Sequence, residues 1–179
     1  MTTTKRTITR PAADVPSAPP RWAVRTAHII PLLTLPSGLW RLWLAGGHRG
    51  GYTEAGYEAM GIDGWGTVYV IGLSVAVEAA ALLTLGLVRP WGERVPEWIP
   101  VLGGRRVAVR AAVVPAAAGA VALTVLWSPF VLWWTVPHHG MTDTGNLVAG
   151  LLYLPLVAWG PLLGAVTLSY HRRRRAERP

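Results

Sequence analysis

Four long apolar segments constrain this chain more than any other feature. They cover residues 22–45, 66–88, 111–134 and 147–170. A helix needs about 20 predominantly apolar residues to cross the hydrocarbon core of a bilayer, and each segment reaches that length. Prolines interrupt three of the segments, which membrane helices tolerate when neighbouring groups bond the freed carbonyls. The sequence therefore predicts an all-α membrane protein with four transmembrane helices in a domain of residues 22–170.

The positions of the positive charges support the same count. Fifteen of the 17 Lys and Arg residues lie before or at the start of the first segment, between the second and third, or after the fourth. Positive residues accumulate in the cytoplasmic loops of membrane proteins. We therefore predict a multi-pass protein of the plasma membrane with both termini in the cytoplasm.

The two ends of the chain flank this domain. Residues 1–21 are rich in Thr, Pro and Ala without apolar periodicity, which predicts a disordered cytoplasmic tail. Residues 171–179 form a second, basic cytoplasmic tail. A cleaved signal peptide is the alternative for the first apolar segment, but the segment is too long and too rich in Trp and Pro for one.

Composition excludes several functions. The chain has no Cys, so it has no disulfide, thiolate metal site or thiol nucleophile. Its formal net charge is +8, but the basic residues adjoin the membrane exits, where they contact lipid headgroups rather than nucleic acid. No cofactor is predicted.

One carboxylate, Glu78, stands at the centre of the second apolar segment. Helical spacing places Ser74 and Thr67 on its face, so this face should point into the bundle, where desolvation disfavours the charged form. Ionisable residues inside a membrane are functional by default. The alternative is a neutral packing group. The predicted ligand or proton site contains Glu78, His28, Ser74, Thr34, Trp159 and Tyr153.

The sequence leaves two candidates for the polar residue that contacts Glu78. His28 and Arg41 lie towards opposite ends of the first segment, and prolines between them allow either to approach. A histidine and a glutamate in one bundle can relay a proton. Alternatively, His28 bonds a carbonyl freed by Pro31.

A metal site is a weaker possibility in the connection after the third segment. His138, His139 and Asp143 are candidate ligands for a divalent ion. Adjacent histidines on an extended loop point in opposite directions, and no HxxxH or HExxH spacing is present. A solvated polar loop is favoured, and we predict no metal.

The basic connections predict contacts with the bilayer. Arg105, Arg106, Arg172 and Arg173 are candidates for binding anionic lipid headgroups; topology signalling alone would also explain them. Small residues, including the pair Gly160 and Gly164, predict close helix contacts, either within the chain or with a second copy or another membrane protein.

Three stretches carry a resemblance: LPSGLWRL at 35–42, LVRPWGERVPEWIPVLGGRRVAVR at 87–110 and YLPLVAWGPLL at 153–163. They resemble stretches in small uncharacterised four-helix membrane proteins of actinobacterial type. The resemblance implies the four-helix fold over most of the chain beyond the leader, and it implies no activity or site residues.

Three functions remain compatible with the sequence. The first is a proton-linked transporter or channel component, or a binder of a hydrophobic ligand, that uses Glu78. The second is an accessory or structural subunit of a membrane complex. The third is an integral membrane enzyme acting on a lipid or isoprenoid, with Glu78 as general acid and His28 or Tyr153 assisting. A non-enzyme is favoured, because there is no second intramembrane carboxylate and no recognised catalytic motif.

Overall fold

The computed structural model describes residues 18–94, 97, 100 and 103–176. Over this part of the chain it is all-helical, without a strand, as predicted. Its α-helices, in chain order, are α1 (Arg21–Ala45), α2 (Glu54–Ala59), α3 (Trp65–Leu83), α4 (Val109–Trp127), α5 (Asp143–Tyr153) and α6 (Trp159–Ala176).

Three helical units are long and apolar enough to cross a membrane. They are Trp65–Leu87, Val109–Thr135 and Asp143–Ala176, and they coincide with the second, third and fourth predicted segments. The first segment coincides with α1 but is not among the three, since its inner face is polar. The predicted N-terminal tail falls almost wholly on residues outside the described range, and α6 continues through the basic segment as far as Ala176.

The prolines act differently along the bundle. Pro31 and Pro36 lie inside α1, and Pro115 lies inside α4, without ending either helix. Pro129 and Pro155 instead begin 3-10 segments, Ser128–Thr135 and Leu154–Ala158, which continue α4 and α5. Since proline lacks the N–H of the i to i−4 bond, this tightening keeps the chain helical across the apolar region.

Helix packing is uneven around the bundle. α1 packs on α3 and α6, and α6 packs closely on α4. At Gly160 a Cβ atom would lie 2.5 Å from the amide nitrogen of Thr124, so only glycine permits this approach of α6 to α4. Within the described residues, α3 and α4 make almost no contact, and a gap separates them.

One end of the bundle, here called the arginine-rich end, joins the α3–α4 connection to α6. The Tyr170 hydroxyl donates to the Gly92 carbonyl at 3.2 Å. The Arg173 guanidinium lies 2.9 Å from the Glu93 carboxylate, and both side chains are largely buried. His28 of α1 also contacts this connection through Arg89, so the first part of α1 lies at the same end.

The opposite end, here called the loop-paired end, is closed by two reciprocal backbone bonds. The Thr53 amide donates to the Gly140 carbonyl, and the Thr142 amide donates to the Gly51 carbonyl, each at 3.0 Å. Each threonine hydroxyl also donates to the same carbonyl as its own amide and accepts from the amide three residues on, capping α2 or α5. The two connections therefore hold each other by the same contacts.

This reciprocity reflects an internal repeat. The sequences are GYTEAG at 51–56 and GMTDTG at 140–145, which share the pattern Gly-x-Thr-acid-x-Gly. Before each, a tryptophan stacks on a histidine five residues later: Trp43 on His48 and Trp133 on His138. The two connections, and the helix ends that precede them, therefore share one local motif.

Candidate functional site

The candidate site lies where α1 faces α3. On α1, Thr34, Ser37 and Arg41 are all buried and recur at helical spacing. On α3, Ser74 and Glu78 stand one turn apart on the facing surface. Polar groups at i, i+3 and i+7 share one side of a helix, so this interface is polar inside a bundle that is otherwise apolar.

Glu78 bonds Thr34 across the interface. The Thr34 hydroxyl lies 2.7 Å from Oε2 of Glu78 and 2.8 Å from the carbonyl of Pro31. Thr34 is completely buried, whereas Glu78 is half-buried. The structure therefore brings together two residues of the predicted site, and Thr34 is fixed from both sides.

The Thr34 hydroxyl can serve Glu78 in either protonation state. A hydroxyl carries one proton to donate and two lone pairs to accept with. It donates to Glu78 when the carboxylate is charged. When Glu78 carries a proton, the carboxylic acid donates to Oγ1 and Thr34 donates to the Pro31 carbonyl. The pair thus accommodates gain and loss of a proton without a change of partner.

Arg41 is buried at the same interface, two helical turns after Thr34 on α1. Its Nε donates to the Ser74 hydroxyl at 3.1 Å, and its Nη1 donates to the Tyr153 hydroxyl at 3.3 Å. The guanidinium carbon also lies 5.7 Å from the centre of the Tyr153 ring. Nη2 is buried without a hydrogen-bond partner among the described residues. The side chain is only 9% exposed.

Arg41 has no direct counter-charge among the described residues. None of the Asp or Glu residues in the described ranges lies within salt-bridge distance of Arg41. Glu78 comes nearest in register, because it follows Ser74 by one helical turn, about 6 Å along α3. The Arg41 side chain also leans towards the start of α1, as helical side chains do, and this is the direction of Glu78.

An aromatic cluster surrounds Tyr153 on the other side of Arg41. Trp40, Trp127 and Phe130 each lie within 6 Å of the Tyr153 ring, centre to centre. Tyr52 extends this cluster by packing against Trp40, with their ring planes tilted by 32°. Burial raises the pKa of the Tyr52 phenol, and Tyr153 nearby raises it further. Within this cluster, Tyr153 is the ring that contacts Arg41.

Two predicted site residues lie elsewhere. His28 is exposed; its Nδ1 donates to the Val24 carbonyl at 2.7 Å, and its Nε2 accepts from Arg89 at 3.2 Å. Trp159 is buried against α4 and borders the gap between α3 and α4, and its indole N–H has no partner in the described part of the chain.

The residues predicted to contact lipid headgroups or a metal ion lie in different surroundings. Arg105, Arg106 and Arg172 are exposed, whereas Arg173 is held by Glu93 and by the Leu87 carbonyl. His138, His139 and Asp143 line one hollow at the loop-paired end. Within the described ranges, however, no three His, Asp or Glu side chains are arranged to hold a metal ion.

Arg41 was named with His28 as a possible partner of Glu78 but was not included in the predicted site, although the sequence contains a further signal. It follows Thr34 by seven residues, two helical turns, so any face that presents Thr34 to Glu78 also presents Arg41 to α3. The apolar gap beside Trp159 has no such signal, since it depends on which helices leave space between them.

Comparison with known proteins adds no relative: no family model, curated protein or solved structure matches this chain.

Proposed function

We propose that the protein is a small multi-pass membrane protein that couples proton binding at Glu78 to the handling of a ligand or ion, as a transporter or channel component. The supporting observation is that Arg41 and Glu78 lie about one helical turn apart on one buried interface, each bonded to neutral hydroxyls. A buried charge without a direct counter-charge is costly, and such groups inside membranes mark ion and substrate pathways.

This function requires that α1 also crosses the membrane, which gives the protein four spans. α1 has 25 residues, about 37 Å of helix, which exceeds the hydrocarbon thickness of about 30 Å. Its buried polar residues face α3, and from Ile29 onwards its outward surface is apolar, with exposed Ile29, Leu32, Leu35, Leu39, Leu42 and Trp43. With four spans, the arginine-rich end is cytoplasmic and the protein belongs in the plasma membrane.

The coupling follows from the geometry of the two groups. When Glu78 loses its proton, the carboxylate attracts the Arg41 guanidinium away from Ser74 and Tyr153, by about one turn along α3. When Glu78 is protonated, Arg41 returns to those hydroxyls. Proton binding therefore shifts a positive charge along the α1–α3 interface and changes how Arg41 packs against the aromatic cluster.

Infrared difference spectroscopy on protein in lipid vesicles tests proton binding. We expect a carboxylic-acid C=O band that disappears as the pH rises, is absent in Glu78→Gln and shifts in Thr34→Val. Glu58→Gln, at an exposed carboxylate of α2, is the matched control and should leave the band unchanged. A band that is constant at every pH would make Glu78 a neutral packing group and overturn the proposal.

Proton movement is measured with the same variants. In vesicles that contain a trapped pH-sensitive dye, an imposed pH difference should collapse faster with the parent protein than with Glu78→Gln. Equal rates for the two proteins, and for protein-free vesicles, would exclude a proton-conducting role for Glu78.

A further inference from the structure

The gap between α3 and α4 contains a cavity of about 440 Å³, within the range of ligand-binding pockets. Its walls are almost entirely apolar; they include Leu83 and Leu87 on the α3 side, Ala116 and Leu123 on α4, and Trp159 and Leu163 on α6. All of these residues belong to the three units that are long and apolar enough to cross a membrane. The cavity is separate from Glu78, which does not line it.

The internal repeat shows what is unusual about this gap. The shared motif follows α1 in the first connection and α4 in the second, so the counterpart of the α1–α6 pair is the α3–α4 pair. That interface is packed, whereas α3 and α4 make almost no contact in the described structure. Small residues on the cavity face of α4, Ala112, Ala116 and Gly119, leave the space unfilled. A Cβ atom at Gly119 would contact only Leu163, at 3.8 Å.

The cavity has the proportions of a hydrocarbon chain. It extends along α4 from Ala112 to Leu123, about 17 Å at the rise of an α-helix. This length and the volume are sufficient for one extended hydrocarbon chain.

Exposed arginines adjoin the residues at one end of the cavity, although no arginine is among its lining residues. Trp91, Gly92 and Val107 line it there. Arg106 precedes Val107 and pairs with Arg94 in a β-bridge, and Arg110 lies on the first turn of α4. These three arginines are exposed and have no salt bridge to any Asp or Glu in the described ranges. Each cation near a membrane surface contributes about 1 kcal/mol to binding anionic lipid.

We propose that this cavity binds one acyl chain of an anionic phospholipid, whose phosphate lies against Arg106 and Arg110. The site goes beyond the function proposed for Glu78 and shares no residue with it. The apolar walls take the chain, and the arginines select a negatively charged headgroup over a zwitterionic one.

Native mass spectrometry of the purified full chain in detergent tests this, with phosphatidylglycerol and phosphatidylcholine of identical chains as probes. We expect phosphatidylglycerol to bind more tightly. Gly119→Leu should weaken its binding at least about tenfold, because the leucine displaces two or more methylenes from the cavity. Ala117→Leu, exposed on the neighbouring face of α4, is the matched control and should have no effect. Ala116→Leu provides a second filling variant if Gly119→Leu does not fold.

The headgroup contacts are tested separately. Arg106→Gln and Arg110→Gln should each reduce the preference for phosphatidylglycerol about fivefold, while Arg172→Gln, at an exposed arginine of the same end, should not. Equal binding of the two lipids by the parent, or equal effects of Gly119→Leu and Ala117→Leu, would overturn the site. A loss of dimer mass in Gly119→Leu without a change in lipid binding would identify the gap as an interface between copies and also overturn it.

Discussion

Replacing Thr34 by valine tests the contact on which the α1–α3 site depends. Thr34 is completely buried and its hydroxyl is 2.7 Å from Glu78. Valine keeps the branched shape but leaves the carboxyl without this partner. Interhelical hydrogen bonds in membranes average about 0.6 and reach about 1.7 kcal/mol, and an unsatisfied buried group costs about 1–3 kcal/mol. We therefore expect the free energy of unfolding to fall by about 1–2 kcal/mol.

Thr167→Val is the matched control for this prediction. Thr167 is also buried, but its hydroxyl donates only to the Leu163 carbonyl of its own helix. Its replacement should change stability little, since such bonds contribute little to a helix. Reversible unfolding in mixed micelles with increasing dodecyl sulfate, followed by circular dichroism, measures both variants. Combining Thr34→Val with Glu78→Leu should give a coupling energy of about 0.6–1.7 kcal/mol; equal losses for the two threonines, or strict additivity, would refute the reasoning.

Three further changes test other parts of the structure. Gly145→Ala should lower the melting temperature, because its Cβ would overlap the Gly51 carbonyl and overpacking costs about 1–3 kcal/mol; Gly72→Ala, with open space around it, is the control. Glu93→Gln should lower the free energy of unfolding by about 1–2 kcal/mol, less than the loss of a fully buried ion pair, because the Glu93 side chain is 21% exposed. Trypsin should then cut the α3–α4 connection faster than in the parent. The pKa of Tyr52 is raised in the folded protein, so its contribution to stability is present below its pKa of about 10 in the unfolded chain and is lost as the pH rises through its pKa in the folded protein. Tyr52→Phe should therefore resist unfolding better than the parent above pH 10. Equal sensitivity of the two proteins to alkaline pH would contradict this.

Much of the fold could be predicted because apolar length is a strong signal. The second, third and fourth apolar segments coincide with the three membrane-competent units to within a few residues. That α1 also crosses the membrane stays a prediction. Its buried Thr34, Ser37 and Arg41 lower the mean hydropathy by which spanning helices are identified. A polar inner face lowers the hydropathy of a helix, so a spanning helix that carries a functional interface is harder to recognise from its sequence.

The site was only partly predictable for a geometric reason. Counting 1.5 Å per residue gives the depth of a side chain but not the direction in which its helix faces. Depth alone grouped Trp159 with Glu78, yet α6 turns Trp159 towards α4 and the cavity. It also placed Arg41 towards the end of α1, although its long side chain extends back to the level of Ser74 and so joins the site.

The internal repeat was visible in the sequence only as two six-residue motifs far apart. Gly-x-Thr-acid-x-Gly occurs in both halves, but its meaning depends on the contacts between the copies. The Thr53 amide bonds Gly140 and the Thr142 amide bonds Gly51, so the two copies of the motif bind each other. A pattern of this kind is recognised by searching for self-similarity before the spans are assigned.

The reciprocal bonds at the loop-paired end have a consequence for assembly. A surface on which residue i contacts j, while j contacts i, is isologous, as in a two-fold symmetric dimer. The first helical hairpin therefore carries an end that is complementary to its own kind, and Gly51 and Thr53 of one copy match Gly51 and Thr53 of another. Expressed alone in a membrane, such a hairpin should pair with itself through this motif, as its two copies pair within the intact chain.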